Sequence, residues 1–129
     1  MKRTIFYLSL LSLKLTGQPL PNKLLGKWHL DKIVKENQVL RSLAIEYWIK
    51  FDQTIITFNH AVNTCMCAPI KFENDSLSLT EISCTEICCD DRVDNFYKNL
   101  NYEGKIKFIS DTLLIENTQG TYYLTKKSK

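Results

Sequence analysis

Residues 45–58 read IEYWIKFDQTIITF. Ile45, Tyr47, Ile49 and Phe51 alternate with Glu46 and Lys50. That period of two belongs to a half-buried strand, whose side chains point to opposite faces in turn. Trp48 interrupts the polar set, so the second face is expected to be covered as well. Asp52-Gln53 offers a tight turn, and residues 54–58 resume with the Thr, Ile and Phe that favour strands.

The same pattern extends to both sides. Pro19 and Pro21 make residues 18–22 an extended lead-in. Residues 24–34 follow as a first strand with Trp28 and Leu30 on one face, and residues 35–38 suit a turn. After a turn at Asn59-His60, strands are expected over 62–67, 70–73 and 77–82. Glu73-Asn74-Asp75-Ser76 reads as a hairpin turn, because Asn and Asp bond their own backbone and tolerate turn geometry. Residues 105–109 and 112–116 form a further hairpin around Ser110-Asp111, and 121–125 follows a turn over 117–120. Residues 90–101 differ. Val93, Phe96, Tyr97 and Leu100 share one helical face, with Asp90, Asp91 and Asp94 toward the start and Lys98 toward the end, as a helix dipole favours. The expected fold is mainly β (α+β), a strongly curved antiparallel sheet or partly open barrel with one helix near residues 90–101.

Composition sets the frame. The chain has 129 residues, 44% hydrophobic and 24% charged, with 4 Gly and 3 Pro. That mix excludes disordered, collagen-like and low-complexity chains and fits one domain, with no repeat or linker. Residues 1–17, MKRTIFYLSLLSLKLTG, carry Lys2 and Arg3, then an apolar run over 5–13, then the small Thr16 and Gly17. This is the layout of a signal peptide, leaving 18–129 as a single exported domain, periplasmic or secreted. No cysteine lies near the cleavage point, so a lipid anchor is not expected, and no other stretch is long enough to span a bilayer. The formal charge of +3 belongs to the leader, whose Lys2, Arg3 and Lys14 face no acid. Without that excess, nucleic acid is not an expected partner. The Lys126-Lys127-Ser128-Lys129 tail reads as a solvated terminus.

All five cysteines fall in one stretch: Cys65, Cys67, Cys84, Cys88 and Cys89. In an oxidising compartment disulfides are the default, and an odd number leaves one thiol over. If residues 65–67 are extended, Cys65 and Cys67 point the same way and both can meet the 84–89 segment. Spacing alone does not choose the pairing. Four thiolates could instead hold Zn or Cu(I), but the two-knuckle Cys-x2-Cys spacing is missing and export disfavours thiolates. No Cys-x-x-Cys redox motif is present. No metal or other cofactor is therefore expected.

Four stretches resemble the META domain family, small exported β-rich proteins related to a bacterial heat-shock lipoprotein. Leu24-Leu25-Gly26-Lys27-Trp28-His29-Leu30 resembles its L-x-G-x-W-x-L start. Residues 57–65, with Phe72 beyond, resemble its phenylalanine strand, Gly-Cys-Asn turn and following tyrosine. Thr85-Glu86-Ile87-Cys88-Cys89 resembles its T-x-M-A-C box. Phe96 and Leu100, followed by Ser110-Asp111-Thr112-Leu113-Leu114-Ile115, resemble its helix and G-D-x-L-x-L hairpin. The likeness spans about 100 residues, but Thr64-Cys65-Met66 stands where the family has Gly-Cys-Asn, and Cys67, Cys84 and Cys88 are additional. It implies neighbouring places for Cys65 and Cys89, hence a Cys65–Cys89 bridge, with Cys67 joined to Cys84 or Cys88. It implies no enzymatic activity and a loose tie to envelope stress. Gly26-x-Trp28 also resembles the first strand of lipocalin-like barrels, which bind small apolar ligands.

No residue set points to catalysis. His29 and His60 are the only histidines, one read on a strand surface and one in a turn. Asp90-Asp91 is explained as helix-start acids. Glycine-rich phosphate loops, His-Glu-x-x-His and Gly-x-Ser-x-Gly are absent from the sequence. Most aromatics suit a core. Trp48 and the Tyr122-Tyr123 pair are exceptions, since strand neighbours cannot both face one core, and they are the candidates for ligand or surface contact. The expectation is a non-enzymatic interaction module with a protein partner, or a binder of a small apolar ligand.

Overall fold

The alternation around Trp48 is realised as two paired strands. A computed structural model of the chain describes residues 19–41, 45–60, 63–67, 70–85 and 100–126. A 3-10 turn at Asn22–Leu24 precedes β1 (Gly26–Lys35), β2 (Gln38–Leu40), β3 (Trp48–Phe51), β4 (Ile56–His60), β5 (Asn63–Cys67) and β6 (Ile70–Glu73). Then come β7 (Ser76–Leu79), β8 (Ile82–Cys84), β9 (Gly104–Ile109), β10 (Thr112–Asn117) and β11 (Gly120–Thr125). All pair antiparallel in one sheet of order β6-β7-β9-β10-β11-β1-β3-β4-β5-β8, with β2 on β1. The sheet curls into a half-barrel, the curved antiparallel architecture expected. The helix expected near 90–101 falls largely outside the described residues, as do the leader and Cys88 and Cys89; Leu100 and Asn101 are not helical. Among the described residues, no helix is long and apolar enough to cross a membrane.

β1 organises the sheet. It pairs with β11 along one side, and along the other with β3 through Gly26–His29 and with β2 through Ile33–Lys35. Its register against β11 slips between Leu30 and Lys32, a β-bulge at Asp31. Without that extra residue the alternation from Trp28 and Leu30 would turn Lys32 inward. With it, Ile33 reaches the core instead and Lys32 faces out opposite Tyr123. The bulge also ends the β1–β3 ladder. Residues 45–47 therefore stay outside the strand expected there, although Leu30 N–H still donates to the Tyr47 carbonyl at 2.9 Å.

The concave side is the core. Ile33, Ile49, Phe51, Ile56, Leu113, Ile115 and Leu124 are completely buried on five successive strands of the sheet, β10, β11, β1, β3 and β4. Tyr102, ahead of β9, bridges it, its ring edge-on to Phe58 of β4 at 5.4 Å and to Tyr122 of β11 at 5.6 Å. Alternate residues form the convex outer face. At one end Trp28 donates its indole N–H to the Leu24 carbonyl at 2.8 Å. The Gln53 amide clamps Leu20 there, donating to its carbonyl and accepting from its N–H, each at 3.1 Å.

Turn chemistry explains which connections were foreseeable. Asn74 and Asp75 take φ of 53° and 60°, the left-handed pair that a two-residue hairpin prefers. Glu36 takes φ 56° in the turn to β2, a strand not anticipated. Asn59 and His60 extend β4 rather than turning, His60 pairing with Asn63. Residues 77–82 are not one strand. The chain breaks at Thr80-Glu81 because β7 belongs beside β6 and β9, whereas β8 must cross to β5 at the far edge.

Candidate functional site

Cys65 and Cys67 alternate with the outward Thr64 and Met66 on β5, so both thiols face the core, as extended geometry requires. The register of β8 sets Cys84 opposite Cys65 and Ile82 opposite Cys67. Thr85 N–H donates to the Thr64 carbonyl, and Thr64 N–H to Thr85 Oγ1, both at 3.1 Å. Cys65 and Cys84 are thus a non-hydrogen-bonded pair, the closer kind, with Cα atoms 4.0 Å apart. They form a disulfide. This corrects the pairings implied by the family resemblance: Cys65 is joined to Cys84 rather than Cys89, and Cys84 is no longer open to Cys67. The cause is the break at Thr80-Glu81, which starts a new strand two residues before the cysteine. Closing a loop of 19 residues stabilises by about 3 kcal/mol on the loop-entropy view.

The remaining described cysteine is chemically quiet. Cys67 is buried, and burial pushes its thiol pKa up from 9.0 against the opposing backbone hydrogen bonds of Thr80 and Glu81. It stays protonated at neutral pH, unlike a nucleophilic or metal-bound cysteine. With Cys65 and Cys84 in the bridge, three of the five cysteines remain, one fewer than the four thiolates a metal reading needs. Among the described residues, no group of three or more His, Cys, Asp or Glu is placed to hold a metal ion.

The outer face holds the expected contact residues, with one exception. Trp48 lies half-buried beneath Lys27, whose ammonium is 4.5 Å from the ring centroid. Its backbone N–H donates to Asn59 Oδ1 and Asn59 Nδ2 donates to the Glu46 carbonyl, both at 2.8 Å. Glu46 in turn meets His29 Nδ1 at 3.0 Å. Tyr123 lies beneath Lys32 at 4.9 Å. Tyr122 points the other way and is fully buried, so it is not a surface contact. Its hydroxyl accepts from Asn101 N–H at 3.0 Å and donates to Gln119 Oε1, while burial raises its pKa above 10.0. Strand alternation predicted that the two tyrosines would diverge. The burial of strands β10 and β11 against Tyr102 decides which one enters the core.

Sequence reading missed the clamp of Gln53 and the role of Lys126. Rather than trailing into solvent, Lys126 donates to the Leu25 carbonyl at 2.7 Å and sits 4.9 Å from the Trp28 ring. Neither contact has a local signal, since the partners lie 33 and 101 residues away. The side chain of His60 lies outside what is described. In comparisons with known proteins, the chain matches no family model, no curated protein and no solved structure.

Proposed function

We propose that the chain is an exported, non-enzymatic interaction module of the META-like kind, serving envelope maintenance, with its outer face as the contact surface. One observation carries the reading: the Cys65–Cys84 disulfide pins the last strand of the sheet. Such bonds persist outside the cytoplasm and are reduced within it. The burial of Cys67, whose thiol stays protonated, supports a binding role over thiol chemistry. Cell fractionation with N-terminal sequencing and a thiol count, run beside metal analysis, tests it. A metal-free chain outside the cytoplasm, beginning near Gln18, is the expected result. A chain starting at Met1 in the cytosol, folded with all five thiols reduced, would overturn the proposal.

A second reading is a lipocalin-like binder of a small apolar molecule. Trp28 favours it, being buried beside the 3-10 turn at one end of the curled sheet. Native mass spectrometry would then show a retained small molecule that unfolding releases.

A further inference from the structure

Charge on the outer face is segregated. Across the ladder registers, the outward lysines are Lys71 on β6, Lys105 and Lys107 on β9, Lys27 and Lys32 on β1, and Lys50 on β3. The outward acids are Glu73, Glu116 (opposite Lys105), Asp31 at the bulge, and Glu46, which is held by His29. Lys107 already engages Glu116 at 3.0 Å. Other acids gather in connections, among them Glu36, Asp52, Asp75 and Asp111. A chain with little net charge beyond its leader therefore presents one cationic face.

The lysines also form a line. Neighbouring strands lie about 4.8 Å apart and alternate residues about 6.8 Å along a strand. On that grid Lys71, Lys105, Lys107, Lys32, Lys27 and Lys50 follow one diagonal, about 40 Å from end to end. Lys27 and Lys32 rest over Trp48 and Tyr123, which holds their stems against the sheet and fixes their ammonium groups. Hydroxyls flank the line: Ser78 stands opposite Lys71, Ser76 opposite Lys105 and Thr57 opposite Lys50.

We propose that this diagonal binds a linear acidic polysaccharide. The inference rests on the reading of the outer face as a contact surface and names its partner. Spaced ammonium groups match the repeating carboxylates or sulfates of such a chain, and the adjacent Ser and Thr hydroxyls match its sugar hydroxyls. Single-stranded nucleic acid would need open rings for its bases to stack on; here lysines cover both rings. An acidic peptide gains its main-chain bonds at a sheet edge, whereas Lys105, Lys107, Lys27 and Lys32 lie on strands paired along both sides.

The test is binding of the oxidised full chain to heparin, with dextran, oligo-dT and polyglutamate for comparison. Heparin should bind with an affinity that falls steeply as salt rises, and dextran should not bind. Combined Lys32→Gln, Lys50→Gln and Lys107→Gln should weaken heparin binding by about tenfold or more. Arginine at the same three positions should restore it, and Lys35→Gln, at the β1–β2 turn, should leave it unchanged. Absent or salt-insensitive heparin binding overturns the inference, as does an equal loss with Lys35→Gln. Tighter binding of oligo-dT or polyglutamate overturns it too, in favour of those partners. Failure with the bridge and export intact removes only the polysaccharide, and leaves the interaction-module reading standing.

Discussion

At Gly120 the backbone adopts φ 127°, and a methyl group added there would lie 2.5 Å from the Val34 carbonyl oxygen. Conformation and close approach both exclude a side chain. Gly120→Ala should cost about 1–3 kcal/mol, seen as a lower thermal midpoint; an unchanged midpoint would mean that β11 does not approach β1 so closely. Cys67 sets a pH limit. Its folded pKa lies above the ordinary 9.0 because of burial, so the unfolded chain releases this proton first. Its contribution is complete below 9.0 and is lost as pH rises from there through the folded value. Urea melts should show stability falling on that alkaline side, and falling less in Cys67→Ala; an equal fall in both would contradict the assignment. Tyr122 titrates in the same direction from 10.0, which is why the variant comparison is needed. At this scale the sequence was informative about direction, as in the opposed tyrosines. It was silent about Lys126, whose partners come from the start of the domain.

Elements were legible where their signal is local. Alternation pointed to β3, strand-favouring residues to β4 and Asn74-Asp75 to the β6–β7 hairpin, because strand period, residue preference and turn chemistry act within a few positions. The bulge at Asp31, the strand β2 and the break at Thr80-Glu81 were not legible. Each answers to a partner strand elsewhere: β11 for the bulge, β1 for β2, and β5 for β8. Asn59 is a case in which one side chain stabilises an element junction. It bonds the Trp48 N–H and the Glu46 carbonyl, tying the start of β3 and the segment before it to β4. Asn59→Ala should therefore cost about 1–3 kcal/mol, since two backbone groups lose their partner. It should also speed hydrogen exchange at the Trp48 amide; unaltered exchange there would argue against this junction.

For the whole molecule, a curved antiparallel sheet followed from many closely spaced short strands, before any pairing was known. The strand order did not follow, since β1 joining β11 and β7 joining β9 are contacts between distant parts of the chain. The proposed contact face was half legible. Trp48 and the Tyr122-Tyr123 pair stood out as aromatics that could not all enter the core, while the lysine diagonal emerges only when seven strands are laid side by side. The open sheet ends at β8, three residues long and paired only with β5. That edge makes the Cys65–Cys84 bond the feature on which stability and the proposed compartment and function converge. Reduction should lower the thermal midpoint by an amount equivalent to about 3 kcal/mol, and Cys84→Ala should reproduce the loss without reductant. The most direct measurement is peptide mapping of the natively isolated chain, alkylated and digested without reductant. A peptide containing Cys65 joined to one containing Cys84 is the predicted result; Cys65 recovered alkylated, or joined to Cys89, would contradict it.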